Sequence, residues 1–334
     1  MARVGYHMLP PLKRSSEAMG DVHDLEGNPP RSKSPMLLYI VISKACSWKW
    51  HGEPQVSMLS LPLQTNWRLL ITPKVSCAED PPFAALMVMT GAGDSEGRMV
   101  VRNTWGEASR VANRRIRLFF LLGTVKQQEV QKAVEKEAEA YGDILQHAAP
   151  DKYTNLSTKA ATMIQWMAES CPQAKFLVKA DTDTLVNLDL MIPYLIKVEN
   201  KGDLALGSRL DNMPIITSEK SRNYQDPLVF PRKTFPPYLS GACYIVSGSL
   251  IQKVARVLPE VPRVRNEDTF LGMCLERLRI EPTDIGPEAR INPWFDPAKG
   301  PCAAFRLAAA HAFKRDLLVA IWKWWKTEGA KMCH

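Results

Sequence analysis

The sequence contains no hydrophobic segment that is long enough to cross a membrane. Its best candidate, residues 36–43 (MLLYIVIS), is about half the length of the roughly 18 to 20 apolar residues that a membrane span requires. A long polar stretch precedes it, which is atypical of a signal peptide. The sequence taken alone therefore predicts no membrane anchor.

Cysteine motifs for zinc and motifs for nucleic acid are also absent. The seven cysteines include no Cys-x-x-Cys pair, which argues against a zinc site. Their wide spacing fits either buried thiols or long-range disulfides. A net charge of +8 suits an anionic partner such as nucleic acid, a membrane surface or a nucleotide sugar. Because neither zinc-finger spacing nor an aromatic-basic RNA motif is present, we expect no nucleic-acid partner.

The chain divides into two regions of different composition. Residues 1–75 are rich in proline, serine and charge and lack a sustained hydrophobic period. We predict an atypical, largely disordered N-terminal region there, with marginal strands within 36–71 as an alternative. In residues 76–330, short apolar runs, among them 83–90, 117–122 and 176–179, alternate with helical patterns. This alternation predicts an open α/β sheet.

Two carboxylates follow the predicted strand 176–179. Asp181 and Asp183 are two residues apart, and in an extended segment such residues point to the same side. They can therefore converge on one divalent cation that keeps positions open for phosphate oxygens. In open α/β sheets, ligands bind beyond the carboxyl ends of the strands, which is where this pair lies. Taken alone, Asp-x-Asp pairs are also common in turns, where they cap backbone amides.

Six segments along the chain, including the one that carries the Asp pair, are unusual when they are taken together. They are 98–105 (RMVVRNTW), 141–145 (YGDIL), 151–159 (DKYTNLSTK), 179–187 (KADTDTLVN), 235–241 (FPPYLSG) and 266–272 (NEDTFLG). In this combination the chain resembles the β-1,3-galactosyltransferase family (glycosyltransferase family 31). That family includes β-1,3-N-acetylglucosaminyltransferases and is related to fringe. Thr182 departs from its pattern, because the family has an aspartate there.

The resemblance implies a GT-A fold, with a mixed central sheet flanked by helices in a single catalytic domain. It also implies a UDP-sugar donor, Mn²⁺ as cofactor, and a glycan acceptor on a glycoprotein or glycolipid. By the resemblance, Asp183 ligates the metal, Asp181 supports it or contacts the ribose, and His311 completes the site. Without the resemblance, His311 would be interpreted as a surface helix residue.

The resemblance also assigns the remaining site residues. Asp268 is the predicted general base and Glu267 the alternative, although two acids at a helix start can simply complement the helix dipole. Donor-binding residues are expected among the arginines of one helical face and the acidic strand end: Arg98, Arg102, Lys179 and Asp181. The arginine face has two other interpretations, a solvated face or one that anchors the helix. Tyr238 and Gly241 are expected to shape the acceptor side, with packing as the alternative for Tyr238.

The cysteines and one sequon gain meaning from the same resemblance. It implies the disulfides Cys77–Cys171 and Cys274–Cys302 and an oxidising lumen. No partner is assigned to Cys46, Cys243 or Cys333. Asn155 lies in an N-glycosylation sequon, which can be used only in the secretory route. We therefore expect a location in the Golgi lumen or at the Golgi membrane, although the sequence shows no anchor.

Together these expectations describe an inverting, metal-dependent β-1,3-glycosyltransferase that moves galactose from UDP-galactose to a glycan hydroxyl. UDP-N-acetylglucosamine is the alternative donor, since the motifs are shared by both activities. A catalytically silent, glycan-binding relative is the alternative of a different class, and Thr182 is the residue that favours it.

Overall fold

A mixed β-sheet organises the residues that the computed structural model describes, which are 68–74, 77–228 and 230–333. The strands are β1 (Leu69–Ile71), β2 (Ala84–Met89), β3 (Arg110–Val111), β4 (Arg114–Thr124), β5 (Ile144–Pro150), β6 (Phe176–Asp181), β7 (Leu185–Val186), β8 (Ala205–Leu210), β9 (Tyr238–Ser247), β10 (Thr283–Asp284), β11 (Ile291–Asn292) and β12 (Ala309–Ala310). The helices are α1 (Ser95–Arg102), α2 (Gln128–Tyr141), α3 (Leu156–Ser170), α4 (Leu188–Val198), α5 (Gly248–Val257), α6 (Glu267–Leu278), α7 (Pro301–Phe305), α8 (Arg315–Trp324) and α9 (Ala330–Met332).

The main sheet has a parallel half and an antiparallel half. Its order is β1-β5-β4-β2-β6-β9-β8-β10, with β3 paired to β4. Strands β5, β4, β2 and β6 run parallel to one another, whereas β9 is antiparallel to both β6 and β8. A separate sheet in the described residues has the order β11-β12-β7. The parallel strands therefore deliver their carboxyl ends to one edge of the molecule, as the sequence pattern predicts.

The hydrophobic strand sequences are explained by burial on both faces. Every residue of β2 is buried, because helices cover the sheet on each side. Leu86 and Val88 belong to the core that includes side chains of α1, α4 and α8. On the other face, Phe119 of β4 packs edge-to-face on Trp166 of α3, with ring centroids 4.9 Å apart. The α/β class with a mixed central sheet flanked by helices is thus confirmed.

The predicted N-terminal region falls largely outside the described residues. Of residues 1–75, the structure describes 68–74, in which β1 pairs antiparallel with β5 at the edge of the sheet. In the described part of the chain, no helix combines the length and the apolar character that crossing a bilayer would need.

Candidate active site

A cavity of about 1070 Å³ opens at the carboxyl ends of the parallel strands. It is lined by residues 91–93 after β2, by Val125 after β4 and by Asp181 at the end of β6. The loop before α6 supplies further walls, as does the segment between β11 and α7. The sheet topology therefore places the predicted Asp pair in the wall of a cavity at the carboxyl ends of these strands.

Asp181, Asp183 and His311 converge on one point of this cavity. Each offers a ligand atom, and these atoms lie within 4.8 Å of one another. The small sheet explains why a distant histidine arrives there, because Ala310 of β12 pairs with Leu185 of β7. The pairing sets His311 beside Asp183, with 3.3 Å between His311 Nε2 and Asp183 Oδ1. The residues that the resemblance names as metal ligands are brought together by the fold.

The orientation of the His311 ring suits a ligand role. His311 Nδ1 lies 3.1 Å from the Pro293 carbonyl oxygen, so that donation to this oxygen leaves Nε2 turned towards Asp183. Hydrogen bonding to Asp183 raises the pKa of His311. Burial raises the pKa of the Asp183 carboxyl, but the hydrogen bond and charge of His311 outweigh it and hold the pKa below its usual value. Two carboxylates with one imidazole form a donor set that fits a divalent ion such as Mn²⁺.

Lys179 joins the carboxylate pair to the predicted catalytic acids. Its buried ammonium donates to Asp181 Oδ1 at 2.8 Å, to Glu267 Oε1 at 2.9 Å and to the Gly241 carbonyl oxygen. An ammonium has three donors, so these acceptors use all of them. Burial lowers the pKa of Lys179, yet the charges of Asp181 and Glu267 raise it well above the usual value. Lys179 therefore positions the site, and the prediction that it also contacts the donor stays a prediction.

Asp268 has the properties expected of a general base. Its carboxylate lines the cavity and accepts from the backbone N–H groups of Gly241 at 3.2 Å and Thr269 at 2.7 Å. Burial, and next the charge of Glu267, raise the pKa of Asp268 to about 7. A base with a pKa near neutral pH suits proton transfer under physiological conditions. Glu267, the alternative base, is buried and held by Lys179.

Gly241 lies where an added side chain would collide with the two acids unless they moved. A Cβ atom there would lie 2.6 Å from Glu267 Oε1 and 3.2 Å from Asp268 Oδ2. Its backbone also accepts from Lys179 and donates to Asp268. Gly241 lines the cavity, and its lack of a side chain lets β9 approach both acids closely. Its role on the acceptor side stays a prediction.

Arg98 and Arg102, predicted to bind the donor, do not line the cavity. Arg98 is fully buried and donates to Glu137 at 2.7 Å and to the Gly91 carbonyl oxygen at 2.7 Å. Arg102 pairs with Glu137 at 2.7 Å and with Asp143 at 2.8 Å. The prediction that these arginines bind the sugar donor is thus corrected. Both guanidinium groups are satisfied by acceptors within the protein, so the arginines anchor α1 instead. Arg98 acts indirectly by fixing the loop that lines the cavity.

Tyr238, predicted to contact the acceptor, is a packing residue. It is buried, is absent from the cavity wall, and meets Phe235 edge-to-face with ring centroids 6.2 Å apart. Its Cβ occupies the space where a side chain on Gly272 of α6 would lie. Burial raises the pKa of the Tyr238 hydroxyl. The strand turns this ring into the protein and leaves Gly241 at the surface of the cavity.

The structure confirms one predicted disulfide and corrects the other. Cys77 is bonded to Cys171, but Cys302 is bonded to Cys333 and not to Cys274. Cys274 lies within α6 and is fully buried, so it packs in the core as a free thiol, as does Cys243. Cys302 and Cys333 have Cα atoms 5.3 Å apart, within bonding reach. Cys46 lies outside the described residues.

Asn155 of the predicted sequon lies just before α3. Its side-chain nitrogen donates to the Pro150 carbonyl oxygen at 2.9 Å, and the Ser157 of the sequon is buried. Glycosylation of Asn155 stays a prediction.

Sequence reasoning missed Asp151 and Lys159, whose polar contacts shape the cavity. Lys159 donates to Asp151 at 2.6 Å and to the Thr90 carbonyl oxygen at 2.7 Å, and Asp151 also accepts from the Ala92 N–H at 2.7 Å. Asp151 and Lys159 are the first and last residues of the 151–159 motif, which is the signal that could have found them. Their contacts connect the loop after β2 to the loop after β5.

Asp94 is a third residue that sequence reasoning missed. It caps α1 by accepting from Gly97 N–H at 3.0 Å, and it also accepts from Thr182 Oγ1 at 3.1 Å and from Arg315. Thr182 thus points away from the metal ligands, as strand alternation predicts, and ties the Asp181–Asp183 turn to α1. The unusual residue of the motif therefore has a local partner.

Comparison with known proteins defines the class of this protein. The family model described as Galactosyltransferase matches residues 96–286. The chain belongs to the galactosyltransferase family, a family of glycosyltransferases. It is 32% identical over 255 residues to human "Beta-1,3-galactosyltransferase 5" (Homo sapiens), covering 75% of this chain and 81% of the relative. It is 30% identical over 251 residues to "UDP-GalNAc:beta-1,3-N-acetylgalactosaminyltransferase 1" of Rattus norvegicus, covering 74% and 76%.

Proposed function

We propose that this protein is an inverting β-1,3-galactosyltransferase. It transfers galactose from UDP-galactose to a hydroxyl of a glycan on a glycoprotein or glycolipid, in the Golgi lumen or at its membrane. One observation carries the proposal. In a member of the galactosyltransferase family, a cluster of metal-ligating type and a carboxylate with a pKa of about 7 line the same cavity.

The proposed cofactor is Mn²⁺, held by Asp181, Asp183 and His311. The fit rests on the donor set, because imidazole and carboxylate groups are ligands that such an ion accepts. When bound, the ion acts as a Lewis acid that stabilises the negative charge of the leaving diphosphate. Lys179 fixes Asp181 from behind, so that one of the carboxylates is already oriented before any ligand arrives.

The proposed reaction is a single displacement. Asp268 takes the proton from the acceptor hydroxyl as the acceptor oxygen attacks the anomeric carbon. A bond forms between that oxygen and the anomeric carbon, and the bond from the carbon to the phosphate oxygen breaks. UDP leaves with the bonding electron pair, and attack from the opposite face converts an α-linked donor to a β-linked product. The transition state has oxocarbenium character, as in glycoside hydrolysis.

The donor sugar has two further candidates. UDP-N-acetylglucosamine is the alternative expected from the shared motifs. UDP-N-acetylgalactosamine is favoured by the rat relative, whose name specifies that donor. A silent glycan-binding protein is the alternative of a different class. The side chain of Thr182 gives this alternative little support, because it contacts Asp94 and is not part of the three-residue ligand cluster.

A UDP-release assay tests the proposal. The purified chain is offered the three UDP-sugars with Mn²⁺ and an array of glycan acceptors, and products are identified by mass spectrometry. We expect acceptor-dependent release with UDP-galactose, and a loss of at least about 100-fold in Asp183→Ala. Asp189→Ala, which changes an exposed aspartate in the first turn of α4, is the matched control. Equal release by the unchanged chain and Asp183→Ala would favour the silent binder.

A further inference from the structure

Trp294 is an exposed aromatic residue in the wall of the candidate active site. It is 69% exposed, more than any other exposed aromatic side chain in the described residues, and it lines the cavity. Exposing an indole ring to water is unfavourable, because the ring carries a large apolar surface. A bare ring at the mouth of a ligand cavity therefore indicates a partner with an apolar face.

The other exposed aromatic rings in this part of the chain already have partners. Tyr141 lies under the guanidinium of Arg102, 4.0 Å from the ring centroid. Tyr153, which also lines the cavity, lies under Arg222 at 5.3 Å, and its hydroxyl donates to Asn223. Among the described residues, no ring or cation contact involves Trp294. Its ring is therefore available to a ligand.

The backbone around Trp294 is held firmly. Trp294 N–H donates to Asn292 Oδ1 at 3.0 Å. The next residue, Phe295, is buried and stacks on Phe313 with ring centroids 5.6 Å apart and planes 22° apart. The segment thus alternates, with Phe295 facing inward and Trp294 outward. A ring presented on a fixed backbone loses little conformational entropy when it binds a ligand.

The same segment is tied to the metal-type cluster. The Pro293 carbonyl oxygen lies 3.1 Å from His311 Nδ1, so the residue before Trp294 orients a ligand of the cluster. Trp294 therefore directly follows the residue that orients His311, one of the three proposed metal ligands. Trp294 and Asp183 also line the same cavity.

Asp296 supplies a polar group on the same side as Trp294. Both residues are exposed and line the cavity, whereas the residues on either side of Trp294 are buried. Asp296 Oδ1 accepts from the Ala298 N–H at 3.0 Å, which fixes the carboxylate. No hydrogen bond of the described residues involves Oδ2, which can accept from a ligand hydroxyl. An apolar ring face beside a fixed acceptor matches a pyranose, which carries a C–H face and hydroxyl donors.

We propose that Trp294 and Asp296 form an acceptor-sugar subsite, with the indole stacked on the C–H face of a pyranose and Asp296 Oδ2 accepting from one of its hydroxyls. The inference rests on the proposed function, in which this cavity holds a sugar donor and a sugar acceptor. The acceptor is the occupant because nucleotides bind beyond the carboxyl ends of parallel strands. Trp294 instead follows β11, which belongs to the separate small sheet.

Binding of simple glycosides tests the subsite without any chemistry. Saturation-transfer NMR is run with methyl β-galactoside and methyl β-N-acetylglucosaminide in the presence of UDP and Mn²⁺. We expect Trp294→Ala to weaken glycoside binding on the order of tenfold, and Trp294→Phe to weaken it only about threefold, since a ring face remains. Asp296→Asn keeps an oxygen for the Ala298 cap and should weaken binding about threefold. Leu228→Ala, an exposed residue outside the cavity wall, is the control.

Kinetics then separate this subsite from a general effect on the site. In the transfer assay, Trp294→Ala should raise the acceptor KM by the same factor and raise the donor KM much less. Unchanged glycoside affinity in Trp294→Ala, an equal rise in the donor KM, or no saturation transfer from the unchanged chain to either glycoside would each overturn the inference. A third outcome separates the two proposals. If the unchanged chain binds the glycosides but releases no UDP, and Trp294→Ala loses glycoside binding, the sugar subsite stands and the proposed transfer reaction fails.

Discussion

Replacing Asp268 by asparagine is the most direct test of the proposed chemistry. The raised pKa of this carboxyl, about 7, means that it is protonated and inactive as a base in acidic solution. Below pH 7, kcat/KM should therefore fall, to about one tenth of its plateau at pH 6. Asp268→Asn should lower the rate about 10²- to 10⁴-fold and remove this acidic limb, because the amide accepts no proton.

The structural effect of this change can be separated from its chemical effect. Asp268 accepts from two backbone N–H groups, through Oδ2 and Oδ1, and an asparagine can serve only one of them. The unfolding free energy should fall by about 1–3 kcal/mol, which thermal denaturation measures in parallel. Asp284→Asn is the control, since Asp284 also accepts from a backbone N–H but lies exposed in β10.

The pH dependence carries a further internal check. Binding of the proposed Mn²⁺ in the same cavity would favour the ionised carboxylate, so the inflection should move to lower pH as the metal concentration rises. The reasoning would be refuted if Asp268→Asn kept more than a tenth of the rate, or if the variant retained an inflection near pH 7. Glu267→Gln then becomes the variant to examine for the base role.

Three other changes probe the surroundings of the site. Gly241→Ala places a Cβ 2.6 Å from Glu267 Oε1, so Glu267 must shift away from Lys179. We expect at least about a 100-fold loss of transfer and a lower melting temperature; wild-type activity would contradict the close approach. Thr182→Asp would place a second negative charge beside Asp94, whose carboxylate lies 3.1 Å from Oγ1 of the native Thr182. This change should lower the free energy of unfolding by about 1–2 kcal/mol, whereas the neutral control Thr182→Asn should not. Cys333→Ser removes the disulfide to Cys302, which closes a loop with a sequence separation of 31. It should lower the free energy of unfolding, measured by thermal denaturation, by up to about 3–4 kcal/mol. Cys274→Ser is the control, because it changes a free thiol and leaves this disulfide intact.

The strands and the acidic pair were predictable because local sequence determines them. Continuous apolar runs indicate strands buried on both faces, and Asp181 ends β6, one of these strands. The predicted start of α6 at Glu267 also agrees with the structure. These features depend on a few neighbouring residues, so their signal survives in a single sequence.

Features that depend on distant partners were not predictable from spacing. Helical periodicity places Arg98 and Arg102 on one face, but it does not say that Glu137 of α2 meets both of them. The family resemblance paired Cys274 with Cys302, which is wrong, and cysteine spacing could not correct it because spacing does not determine which thiols meet. His311 was assigned only through the family resemblance, because the pairing of β12 with β7 that sets it beside Asp183 leaves no spacing signal.

The order of the main sheet has a practical consequence for producing the enzyme. The family match spans residues 96–286, but β2 (Ala84–Met89), which lies between β4 and β6, precedes it. A polypeptide trimmed to those limits would lose an interior strand, leaving both neighbours with unpaired edges that invite aggregation. It would also lack the tail segment that carries His311. Expression trials should therefore begin upstream of Leu69 and extend to the end of the chain, even though the recognisable motifs stop much earlier.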